Sequence, residues 1–137
     1  MSSTRRTETL VHAVAVLVAV AALAAVSWLV RAYSLSTAVA TAGMVVFNVL
    51  VFGGAHLYLA ARGEGGSVPV ESRWRFLVFL AVAAVAALAG IAFGGRVHEA
   101  LGVGVHGVGV AFVAVAALAY LVVEARAGYR DARATEH

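Results

Sequence analysis

The chain has 137 residues, of which 63% are apolar and 12% charged, with a formal charge of +3 and a mean hydropathy of +0.95. An ordinary soluble domain is about half apolar and about a quarter charged, and a fold of this size has too little interior to hide the excess. The absence of cysteine excludes disulfides, thiolate metal sites and thiol nucleophiles, which leaves an integral membrane protein as the class that fits.

The basic residues agree. All ten are arginine, placed singly or in pairs at the ends of apolar runs. That is the pattern of membrane-end anchors and not of a nucleic-acid surface, so no nucleic-acid partner is expected.

A spanning helix needs about 20 apolar residues to cross about 30 Å of hydrocarbon. The first such run covers about residues 10–30 and carries no charge. Before it, Ser3-Thr4-Arg5-Arg6-Thr7 has the outline of an export signal, but the apolar run is too long for one. The first helix is expected to be retained. Its Ala15, Ala19 and Ala22 recur at helical spacing and predict close approach of a neighbour.

The second run covers about 37–61, with Asn48 near its centre, after the short linker Arg31–Ser36. A polar connector follows over 62–73, glycine-rich and holding the only proline, Pro69. The third run covers about 76–93, and Gly94–Glu99 reads as a tight turn in which Arg96 and Glu99 form a screened surface pair. The fourth covers about 100–123 and is closed by Glu124 and Arg126. None of the four has the polar stripe of a soluble bundle. The expected architecture is all-α: four transmembrane helices, as two antiparallel hairpins forming an up-down-up-down bundle in one membrane domain. Arg31 and Arg96 occupy matching places in the two hairpins, which raises an internal duplication as one possible origin.

Orientation follows from the arginines. Arg5, Arg6, Arg62, Arg73, Arg75, Arg126, Arg130 and Arg133 fall on one side of four alternating spans, and Arg31 and Arg96 on the other. The positive-inside rule then places both termini in the cytoplasm and the chain in the cell membrane.

Polar groups at membrane depth are costly and are the candidates for function. No Asp, Glu, Lys or Arg lies in the middle of a span, which disfavours a proton relay. Among the histidines, only His12 and His56 lie at one level on different helices, and a haem b held between them is one reading. His98 belongs to the outer turn and His137 to the tail. Asn48 is expected to hydrogen-bond across a helix interface and fix its register. Gly102, His106 and Gly109 share one face of the fourth helix, a second expected interface with His106 as its polar contact.

No serine stands with a histidine and an acid, and phosphate-loop and zinc signatures are absent. No catalysis is expected. Three functions remain open: a non-catalytic packing or accessory subunit of a homo- or hetero-oligomeric membrane assembly, a bis-histidine haem-b electron carrier, and a small oligomeric channel, transporter or holin-like pore.

Overall fold

The computed structural model describes residues 3–101 and 105–135, and side chains within these except at 94–110. The chain forms four long helices: α1 (Ser3–Ala32), α2 (Thr37–Ala61), α3 (Val70–Leu101) and α4 (Val105–Thr135). All four contain segments long and apolar enough to cross a membrane, over Ser3–Ala32, Thr37–Ala61, Val70–Phe93 and Ala111–Thr135. This is a multi-pass membrane protein.

The helix ends between α1 and α3 have local causes. The α1–α2 link closes through Tyr33 N–H and Leu35 N–H donating to Leu29 and Val30 carbonyls, with Ser34 in the left-handed region at φ 51°. α2 ends in a Schellman motif: Gly63 N–H donates to Ala60 and Glu64 N–H to Leu59. Gly63 makes that stop possible because its φ is +68°, a conformation costly for any residue with a Cβ. α3 starts directly after Pro69, whose carbonyl accepts from Arg73 N–H.

α3 differs from the sequence reading at its far end. The expected turn at 94–99 is helical, and α3 runs on to Leu101. Glycine pairs break helices in water by exposing backbone to solvent, a competitor that is missing in hydrocarbon. Gly102 lies outside the described residues, as do the side-chain surroundings of His98, His106 and Gly109, so the expected face of the fourth helix does too.

Packing follows the small residues. The predicted alanine face of α1 meets α2, with Ala19 fully buried and the Ala15 methyl against Gly54. A Cβ at Gly43 would stand 2.5 Å from Val26, and one at Gly53 would stand 2.6 Å from Leu80. α2 can therefore approach α1 and α3 only with bare backbone at those points.

Contacts run from α1 to α2, α2 to α3 and α3 to α4, and among the described residues α1 does not touch α4. Among the described residues the helices pack in sequence order, as an open row. Lipid tails solvate the free faces of α1 and α4 as well as a neighbouring helix does, so closure brings no hydrophobic gain.

Candidate functional site

The polar chemistry gathers at one end of the helices, where α1 and α3 begin and α2 ends. Glu8 and His12 come from α1, His56 from the last turns of α2, Gly65 and Ser67 from the connector, and Arg73 from the start of α3. Arg73 is the largest fully buried side chain among the described residues, at 1% exposure. Its Nη2 donates to Glu8 Oε1 at 2.5 Å and to the Gly65 carbonyl at 2.8 Å, and its Nη1 to His56 Nδ1 at 2.9 Å. Its Nε is buried with no hydrogen-bond partner among the described residues.

Glu8 completes the arrangement by accepting from the Ser67 hydroxyl at 2.8 Å and the Ser67 N–H at 3.3 Å. The connector thus folds back over the helix ends. Gly66 is held at φ +62°, and a Cβ there would stand 3.1–3.2 Å from the Glu8 carboxylate. A buried guanidinium joins α1, α2, the connector and α3 in one knot.

A second ion pair lies two residues along α3. Arg75 Nε donates to Glu124 Oε1 of α4 at 2.6 Å, and Ser72 links the pair by accepting from Arg75 and donating to Glu124. Both partners are about a quarter to a third exposed, at 32% and 26%. Residues 73 and 75 are about 200° apart around a helix, so one arginine reaches back to α1 and α2 while the other reaches forward to α4.

Beside the knot, rings form a ladder across the row. His12 and His56 stand 5.5 Å apart edge to face, His56 and Phe76 5.0 Å, Phe76 and Tyr120 6.2 Å, and Phe79 stacks on Tyr120 at 5.4 Å. These separations are those of ordinary aromatic pairs, and the ladder touches all four helices.

Comparison with family models, curated proteins and solved structures finds no match for this chain. The chemistry of the site is therefore read from its atoms.

His12 and His56 do meet, as their level in the sequence implied. Their hydrogen bonds set their tautomers. His12 Nδ1 lies 2.7 Å from the Glu8 carbonyl, which only accepts, so this nitrogen carries the proton. Arg73 only donates, so His56 Nδ1 offers its lone pair and the neutral ring is protonated at Nε2. Two axial haem ligands would each need a free Nε2 lone pair, and only His12 has one. The ring pair fits a hydrogen-bonded knot better than an iron site. Among the described residues, no group of three or more His, Asp or Glu is arranged to hold a metal ion.

Asn48 makes no hydrogen bond to another helix among the described residues: it is exposed, and its Nδ2 donates to the Met44 carbonyl of its own helix at 2.8 Å. The faces of α2 that meet α1 and α3 are those opened by Gly43, Gly53 and Gly54, and Asn48 lies off them. With Thr41, Met44 and Phe52 it forms an uncovered stripe at helical spacing.

Sequence reasoning missed Glu8, Ser67, Arg73, Arg75 and Glu124 as site residues. One signal was available. Glu8 stands four residues before His12, on the same helix face, and so was bound to share its surroundings.

Proposed function

We propose that this chain is a small, non-catalytic membrane subunit that associates with further copies of itself through the Asn48 face of α2. Asn48 carries the reading. It stands about 16 Å along α2 from Thr37, close to mid-membrane, where an exposed carboxamide would face hydrocarbon. Its Nδ2 is served by Met44, while its Oδ1 has no partner among the described residues. Polar groups at that depth face a protein interior or a partner, seldom lipid. Across a two-fold axis, one carboxamide donates to and accepts from its copy, which makes the face self-complementary.

The helices are read as two antiparallel hairpins with both termini in the cytoplasm. Pairing of Ala15 with Gly54 and of Val26 with Gly43 supports the alternation, because one helix number rises as the other falls. The division of arginines, eight against two, supports the orientation in the cell membrane. The non-catalytic reading is supported by the use of Glu8, Arg73, Arg75 and Glu124 as partners for one another.

The test is the mass of detergent-purified protein by chromatography with light scattering. The wild type is expected to be a dimer or larger, and Asn48→Leu to dissociate while keeping its helix content. A strictly monomeric wild type, or an oligomer untouched by Asn48→Leu, overturns the reading.

A further inference from the structure

A groove of about 450 Å³ runs between α3 and α4, away from the Asn48 face. Val78 and Val82 form one wall and Ala116 and Val123 the other, with Trp74 and Arg75 at the end nearest the ion pairs. From Arg75 to Val82 the groove is about 10 Å long. Its lining is almost wholly apolar, so a polar ligand lying along it would lose its hydrogen bonds to water with no replacement.

The groove is open along its length and lies on the span, so lipid tails reach it directly, and an acyl chain lies along it against the apolar walls.

Charge at the mouth selects the head group. Arg75 is 32% exposed; its Nε and Nη2 are engaged by Glu124 and Ser72, and its Nη1 has no partner among the described residues. Beyond the span, Val123 is followed on the same helical face by Arg126 and Arg130, both exposed. Among the nearby acids, Glu124 is paired with Arg75, Glu71 stands one turn before it, and Asp131 follows Arg130 on α4. Against these three acids stand four arginines, Arg75, Arg126, Arg130 and the exposed Arg133, so the end of the groove keeps a small basic excess.

The geometry points to an anionic phospholipid as the occupant, its chain against Val78, Val82 and Ala116 and its phosphate on Arg75, with Arg126 and Arg130 above. A basic site between transmembrane helices at the membrane surface is the arrangement that holds anionic head groups. The site stands whether or not α2 self-associates.

Trp74 is a built-in reporter, because the chain has only two tryptophans and Trp28 lies in the last turns of α1, at the other end of the helices. A Trp28→Phe variant is reconstituted into phosphatidylcholine vesicles containing either brominated phosphatidylglycerol or brominated phosphatidylcholine in equal amount. Trp74 quenching is expected to favour the brominated phosphatidylglycerol roughly five-fold, the scale of one arginine at an anionic surface. Arg75→Gln removes that preference, and Ala116→Leu, which fills the groove, lowers quenching by both lipids. Equal quenching by the two lipids overturns the assignment. So does loss of all quenching in a crosslinked dimer, which would show a second copy covering the groove.

Discussion

Arg73 and Arg75 stand two positions apart at the start of α3 and bind opposite ends of the row, Arg73 through Glu8 and His56 and Arg75 through Glu124. Their surroundings differ as much as their directions. The Arg73 side chain is fully buried and that of its partner Glu8 is 13% exposed, whereas the Arg75 pair remains in partial contact with the surface. The two ion pairs should therefore respond differently to the same chemical change.

Removal of the buried guanidinium leaves His56 Nδ1 without its donor and Glu8 without its charge partner, held by Ser67 alone. Arg73→Met is expected to lower stability by about 3–5 kcal/mol, the usual cost of stranding one member of a buried pair. Replacing both partners, as in Glu8→Gln with Arg73→Met, should recover most of that loss, since no charge is then stranded. Unfolding in mixed detergent micelles, followed by helix content, supplies the double-mutant cycle. Equal losses in the single and double variants would assign the stability to packing of the arginine stem.

The Arg75–Glu124 pair should matter far less to folding. Arg75→Gln is expected to cost about 0–1 kcal/mol, as half-solvated pairs do, and its effect should shrink in high salt. The same unfolding assay at low and high salt measures it. A loss as large as that of Arg73→Met would mean that lipid shields this pair from water.

Two connector glycines separate backbone strain from contact. Gly63 and Gly66 have φ of +68° and +62°, so alanine at either costs about 1–2 kcal/mol from the left-handed backbone. Only at Gly66 would the new methyl also meet the Glu8 carboxylate, while at Gly63 nothing lies within 4 Å. Gly66→Ala should be the more destabilising, and the difference should vanish in a Glu8→Ala background.

The helix-facing glycines give a similar contrast. A methyl at Gly53 meets the far end of Leu80, which can swing aside; one at Gly43 meets Val26 near its branch point. Valine in a helix is held to one rotamer, so the clash at Gly43 must move backbone. Gly43→Ala is expected to cost about 1–3 kcal/mol and Gly53→Ala less, by thermal unfolding of the purified protein.

The four spans were legible because each is a long apolar run, and hydrocarbon imposes one backbone solution on such a run. The level pairing of His12 with His56 was legible too, because rise per residue converts sequence position into depth. Arg73 was not. At the edge of an apolar run an arginine reads as a solvated anchor, and its burial depends on Gly65 and Ser67 folding back over it. A fold-back of that kind is a tertiary event in a connector with no periodicity to read. Gly94 and Gly95 misled for a different reason: their cost in a helix is calibrated in water. Asn48 read as an interhelical device, and its exposed position could come only from knowing which faces of α2 the glycines open.

The most direct test of self-association uses the absence of cysteine, which makes any introduced thiol unique. Phe52→Cys, on the Asn48 stripe at a position 57% exposed, and Val115→Cys, at a position 66% exposed on α4, are oxidised separately in native membranes with Asn48 kept. Phe52→Cys is expected to give a disulfide-linked species at twice the 14.0 kDa chain mass, and Val115→Cys to stay monomeric. A monomer at both positions, or stronger crosslinking at Val115 than at Phe52, would contradict the account.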